Sequence, residues 1–149
     1  MQIYVDADAC PVKDEVYKVA ERHGAKVWVV SNTFLRVPRL AFISQQVVDA
    51  GPDEADNWIA EHATASDIVI TADILLAERC LANDALVLQP NGRAYTKANI
   101  ASAVATRALM EQLRSTGDQV GGAAPFSQRD RSQFLQALHE ACVKLKRAG

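Results

Sequence analysis

The sequence predicts an α/β fold: a three-layer sandwich with a mostly parallel central sheet and helices on both faces. Three observations carry that expectation. Short β-branched runs alternate along the chain with longer stretches of helical periodicity. Several of those runs are apolar throughout, as strands covered on both faces are. Polar residues cluster just after the runs, at the carboxyl ends of the strands, where open α/β sheets bind ligands.

Taken in order, Ile3 to Val5 form the first strand. Pro11 opens a helical pattern with Val12, Val16, Val19, Ala20 and His23 on one face, since proline suits a first turn whose N–H lacks a partner. Asp14 and Glu15 near its start and Lys18 and Arg22 near its end suit the helix dipole, and Gly24 supplies the stop. Val27 to Val30 read as a buried strand. Phe34 to Ala41, interrupted by Arg36, Pro38 and Arg39, read as irregular. Gln45 to Asp49 read as a short strand, Asp53 to Ala63 as a helix, Ile68 to Thr71 as a strand, Ile74 to Leu81 as a helix and Leu86 to Leu88 as a strand.

Two longer helices close the chain. Ile100, Val104, Leu109 and Leu113 recur at helical spacing until Gly117; an exposed face on this 100–116 helix could pair with another copy. Gly117 to Pro125 read as a flexible loop. Ser127, with Asp130 three residues on, caps the last helix, whose buried stripe is Phe134, Leu138, Cys142 and Leu145. The organisation expected is one domain over 1–149, with a core at 1–116, a loop at 117–128 and a C-terminal helix at 129–147.

Composition narrows the function. Sixteen Lys plus Arg against eighteen Asp plus Glu give a net charge of −2. A histone-like polybasic protein is excluded, so any nucleic-acid contact must use a local patch. Cys10, Cys80 and Cys142 form no CxxC pair. That disfavours structural zinc and a disulfide framework, and favours a reducing compartment. The N-terminus lacks the basic n-region and long apolar stretch of a secretory signal, and no run of apolar residues is long enough to span a membrane. A cytoplasmic protein is expected. His23, His62 and His139 are scattered, and Trp28, Trp58, Cys80 and Cys142 read as core.

Asp6 and Asp8 follow the first strand, Ser31 and Asn32 the second, Asp73 the run ending in Thr71, and Gln89 and Asn91 the run ending in Leu88; Asp53 and Asp56 open a helix. In a parallel sheet these groups converge on one edge. Bare carboxylates that close repel or raise one another's pKa, and a divalent cation resolves the conflict. Mg2+ or Mn2+ held by Asp6, Asp8, Asp53, Asp56 and Asp73 could activate water against a phosphodiester. Each carboxylate also has an ordinary reading: Asp8, Asp53 and Asp73 could cap helices, and Asp56 could be a favourable first-turn charge.

The segments VDADACPVKDEV, GPDEADNWIAEHA with DIVITADILLAERCL, and GGAAPFSQRDRSQFLQAL resemble the YaiI/YqxD family of small bacterial proteins across essentially the whole chain. That family is similar in turn to PIN-domain ribonucleases. The likeness implies a PIN-like fold with an acidic metal site in which Asp6, Asp56 and Asp73 are catalytic. A further acidic residue that PIN nucleases carry on an intervening helix has no counterpart here; Asp8, Asp53 or Asn91 are the candidates to replace it. The implied activity is Mg2+- or Mn2+-dependent cleavage of RNA or another single-stranded nucleic acid. For such a substrate Arg36, Arg39, Arg93 and Lys97 could contact phosphates, with Asn32 and Asn91 beside them; the four cations could equally be a solvated surface.

Two alternatives stand beside it. A PIN-like module could bind nucleic acid or a protein without cleaving. IYVDADAC also resembles the opening motif of haloacid-dehalogenase-type phosphatases, with Thr71 and Lys97 in their second and third roles, although Cys10 stands where Thr or Val is usual. A cysteine mechanism at Cys10 lacks the arginine of a phosphate loop, since Val16 stands at that position.

Overall fold

The computed structural model describes residues 1–117 and 125–148. Strand β1 (Gln2–Asp6) leads through a short 3-10 turn at Ala7–Ala9 into α1 (Lys13–His23), and β2 (Lys26–Ser31) follows. An irregular segment reaches β3 (Ile43–Val47); α2 (Glu54–His62), β4 (Ile68–Ile70), α3 (Ile74–Ala82), β5 (Leu86–Leu88) and β6 (Ala94–Tyr95) come next. Helices α4 (Ile100–Ser115) and α5 (Gln128–Ala148) complete the order.

The strands form one sheet in the order β3-β2-β1-β4-β5-β6. The first five are parallel and β6 runs antiparallel to β5. β1 pairs with both β2 and β4, with Val5 beside Val29 on one side and Ile70 on the other. The chain moves outward from β1 in one direction, then crosses back and moves outward in the other. The switch point therefore lies between the carboxyl ends of β1 and β4, where such sheets open a ligand crevice.

Side-chain alternation builds a core on each face. Ile3, Val5, Val27, Val29, Ile68 and Ile70 face α1 and α5, meeting Val16, Ala20, Phe134 and Leu138. Tyr4, Val30, Val69 and Val87 face α2, α3 and α4, meeting Ile59, Leu76, Cys80 and Ile100. This is the three-layer α/β sandwich that the sequence predicts.

The elements differ from expectation at identifiable points. Pro11 lies in a turn and α1 starts two residues later; its N-cap is Val12, with no side-chain cap, so the exposed Asp8 does not cap it. β3 starts two residues before Gln45, because a strand paired only to β2 needs little apolar sequence. β6 was absent from the sequence expectation. Its signal was Asn91-Gly92, a turn pair that suits hairpins; Gly92 has φ +89 and the Gln89 N–H donates to Arg93 O at 2.8 Å. Leu109 is 54% exposed instead of lying on the packed face of α4, which is formed by Ile100, Ala103 and Val104.

Asp130 substitutes for the usual Glu at the start of α5: its Oδ2 accepts from the Ser127 N–H at 2.9 Å, and its own N–H donates to Ser127 Oγ at 3.2 Å. Phe134, Leu138 and Cys142 are fully buried as expected, and Leu145 packs partly against them. Most of the loop at 117–128 (118–124) lies outside the described residues. His23 and His139 are not scattered but meet, Nε2 to Nδ1 at 2.9 Å, joining α1 to α5. Among the described residues, no helix is long and apolar enough to cross a membrane.

Candidate active site

The residues just after β1 and β4 build the switch point. Asp6 ends β1 half-buried, and Thr71, 2% exposed, comes directly after β4. Thr71 Oγ1 donates to Asp6 Oδ2 at 2.8 Å and accepts from the Asp73 N–H at 3.0 Å. Asp73 caps α3: its Oδ1 accepts from the N–H groups of Leu75 at 2.9 Å and Leu76 at 3.2 Å. The ordinary reading of Asp73 as a cap is thus correct. The cap uses one carboxylate oxygen and leaves Oδ2 outside it.

Asp56, in the first turn of α2, faces these groups from the third side. Burial pushes its carboxyl up to about 7, helped by the charges of Asp73 and Asp6, a hydrogen bond to Asp73 and the charge of Asp53. Burial likewise raises Asp6, with Asp8 and Asp73 adding to the effect and the Thr71 hydroxyl opposing it. All five carboxylates of the expected metal group are therefore electrostatically linked. Asp6, Asp56 and Asp73 form its centre, and the exposed Asp8 and Asp53 its rim. Asp53 stands at the N-cap position of α2 but makes no side-chain cap. Among the described residues, no Lys or Arg forms an ion pair with Asp6, Asp56 or Asp73.

The donor set suits a hard divalent cation, because every candidate ligand is a carboxylate oxygen. Among the described residues, no three His, Cys, Asp or Glu side chains stand together as a ready metal cage. Mg2+ does not require one: it is commonly held by one or two carboxylates, with waters and substrate phosphates completing the octahedron.

The expected substrate contacts separate into groups. Arg36 and Arg39, with Lys13 and Tyr17, line an open groove of ≈ 620 Å³ between α1 and the segment that precedes β3. Arg93 lines another, of ≈ 650 Å³, beside α4. Asn32 and Asn91 have backbone duties: Asn32 Nδ2 donates to Asp49 O at 3.0 Å and Gly51 O at 3.2 Å, and Asn91 Oδ1 accepts from the Arg93 N–H at 3.0 Å. Lys97 is not brought to the site. It pairs with Asp84, before β5, at the opposite edge of the sheet. That placement also removes Lys97 from the third phosphatase role.

Sequence reasoning missed Thr71 as the residue that orients Asp6, and missed Arg107 and Arg114 of the α4 groove. The arginines could have been found: they stand seven residues apart in an expected helix, hence on one face.

The family model described as "Uncharacterized BCR, YaiI/YqxD family" matches residues 4–144. A UPF0178 protein of Azorhizobium caulinodans is 58% identical over 147 residues, covering 99% of this chain and 92% of the relative. One of Sphingopyxis alaskensis is 60% identical over 146 residues, covering 97% and 95%, and one of Caulobacter vibrioides is 54% identical over 146 residues, covering 98% and 95%. No solved structure matches the chain significantly. With the acidic switch point, the near-complete match to the family model and relatives of this identity along nearly the whole chain, the chain belongs to the YaiI/YqxD family.

Proposed function

We propose that the chain is a divalent-metal-dependent nuclease that cleaves RNA, with Asp6, Asp56 and Asp73 as its acidic centre. One observation carries this reading. Three carboxylates share the switch point without a cationic side chain to balance them, and one, Asp56, is pushed up to about 7 by burial first and by the charges of Asp73 and Asp6 second. A group of anions assembled where α/β sheets bind ligands suits a cation supplied from solution. The motif resemblance to PIN nucleases supplies the substrate class. Three free cysteines suit a cytoplasmic setting.

Asp6, Asp56 and Asp73 would hold Mg2+ or Mn2+, with Asp8 and Asp53 adding charge at the rim. Such an ion would supply Lewis acidity and would lower the pKa of water, so that a nucleophile for phosphorus is available near neutral pH. The chain's own residues set the geometry. Thr71 fixes the rotamer of Asp6, the first turn of α3 fixes Asp73, and the first turn of α2 presents Asp56.

A second reading, a non-catalytic nucleic-acid- or protein-binding module, is favoured by the lack of a ready metal cage among the described residues. Incubation of a fluorescent single-stranded RNA with the protein in Mn2+ and in EDTA separates the two. The nuclease reading expects cleavage in Mn2+ alone and its loss in Asp73→Asn, which keeps the helix cap. RNA bound but intact in Mn2+, or cleavage undiminished in Asp73→Asn, would overturn it.

A further inference from the structure

We infer that the groove between α4 and the β5–β6 turn is the path of a single RNA strand, held by Arg93, Arg107 and Arg114 and leading to Asp73. This rests on the nuclease reading and assigns its substrate a route.

The groove begins beside the acidic centre, and its Tyr95 feels the charge of Asp73. Ile74, the residue after Asp73, is part of its lining, together with Arg93 from the turn that follows β5. The opposite wall is α4 along most of its length, from Ser102 to Arg114. That helix has 16 residues, about 24 Å of rise, while α3, the element it packs against, has 9, about 14 Å. Helix α4 therefore outruns the layer that it covers. Only Ile100 at its start is buried, and Arg107, Met110 and Arg114 line the groove beyond that start.

Charge and lining together select the occupant. The molecule carries a net charge of −2, yet this groove gathers three arginines. Arg93 and Arg114 have no side-chain partner among the described residues, and Arg107 is held only by Glu111, one turn on, at 3.0 Å. That pair is 39% and 54% exposed, so releasing Arg107 to a phosphate costs little. Arg107 and Arg114 stand two turns, about 10 Å, apart on one face, which suits two phosphates of one strand. Ile74, Tyr95 and Met110 add apolar and aromatic lining, and Glu111, the partner of Arg107, is the one carboxylate among the lining residues. A duplex hides its base faces and leaves such a surface nothing to meet, whereas a single strand exposes them. Gln89 and Thr106 add uncharged polar groups that suit base edges and ribose hydroxyls.

The test is fluorescence anisotropy with a labelled single-stranded RNA 12-mer and the matching duplex, in EDTA across a salt series. Wild type is expected to prefer the single strand. The Arg107→Ala, Arg114→Ala double variant should weaken binding by ~10-fold or more and flatten the slope of log K against log salt by about 1.4, two phosphates at about 0.7 each. Arg107→Lys, Arg114→Lys should recover most of the affinity. An alanine variant that binds like wild type, a preference for duplex, or no binding by wild type would overturn the groove. Arginine-dependent binding with no cleavage in Mn2+ would uphold the groove and sink the nuclease reading. Cleavage in Mn2+ with binding indifferent to the arginines would do the reverse.

Discussion

Thr71 donates its hydroxyl proton to Oδ2 of Asp6 at 2.8 Å, linking the ends of two neighbouring strands that lie 65 residues apart in sequence. Thr71 Oγ1 in turn accepts from the Asp73 N–H at 3.0 Å. One buried hydroxyl thus holds two of the three central acids in register. It also partly offsets what burial does to Asp6, because donation to a carboxylate favours its charged form.

Replacing Thr71 by Val keeps the shape and removes the donor. Asp6 then loses a charge-assisted bond, and the Asp73 N–H loses its acceptor. The expected cost is about 1.5–3 kcal/mol, read as a lowered urea midpoint with an unchanged m-value. The Asp6 carboxyl should titrate higher than in wild type, and Thr71→Ser should restore both properties. A Thr71→Val protein with wild-type stability and an unmoved Asp6 would show that the hydroxyl positions nothing.

Asp56 gives a pH signature. Its folded-state pKa is about 7, against about 3.9 for an unfolded chain. The folded state therefore binds the proton more tightly. The stability that this contributes is complete below about pH 4 and is lost as pH rises to about 7. In metal-free buffer, Asp56→Asn should match wild type near pH 4, gain on it through that window and hold a constant lead above it. Asp56 is only half-buried, so solvent screening reduces the full linkage value to about 1 kcal/mol, and a Tm rise of about 2–4 °C at pH 8 is expected. Saturating Mn2+ should close the gap by stabilising wild type alone. An equal Tm difference at pH 4 and pH 8 would contradict the shift.

Gly92 joins the β5–β6 turn to α5. It has φ +89, and a Cβ there would meet the backbone of Gln133 at 2.7 Å and the amide of Phe134 at 2.9 Å. Gly92→Ala meets strain and a backbone clash together, and about 2–3 kcal/mol of destabilisation is expected. Gly24→Ala has open space around it and only its positive φ to oppose it, so it should cost about 1 kcal/mol. Equal losses in chemical denaturation would show that the turn does not bear on α5.

The His23–His139 contact makes the α1–α5 seam acid-sensitive. Burial lowers the pKa of His23, with Lys146, His139 and Arg22 adding to the effect, and its Nδ1 is buried without a partner. A neutral imidazole is thus favoured on folding. Stability is fully present above the unfolded value of about 6.5 and falls as pH drops through the folded one. His23→Gln should lessen the loss between pH 7 and pH 5, seen as a smaller Tm decline. An identical decline would place the acid sensitivity elsewhere.

Much of the fold was legible because burial on both sheet faces writes continuous β-branched runs such as Val27 to Val30, and amphipathic helices write their stripes. Phe134, Leu138 and Cys142 landed where their spacing put them. What was not legible lies where tertiary contacts decide. Two-residue β6 has no periodicity to read, and edge strand β3 is largely polar. Leu109 repeats at helical spacing, yet α4 projects past the layer that would bury it. At the site, the residue types after β1 and β4 pointed to the acidic edge, while Thr71 looked like the end of a strand. Its role depends on a partner 65 residues away. Lys97 lies close to Asn91 and Arg93 in sequence, but the antiparallel return of β6 carries it to the far edge.

The most direct test of the acidic centre is calorimetric titration of Mn2+ into the metal-free protein at pH 7.5, beside the Asp6→Asn, Asp73→Asn double variant. Asparagine at 73 still caps α3, so the fold survives the change. The account predicts saturable binding by wild type, with proton release as Asp56 ionises, and none by the variant. Absence of saturable binding by wild type, or equal binding by both proteins, would contradict it.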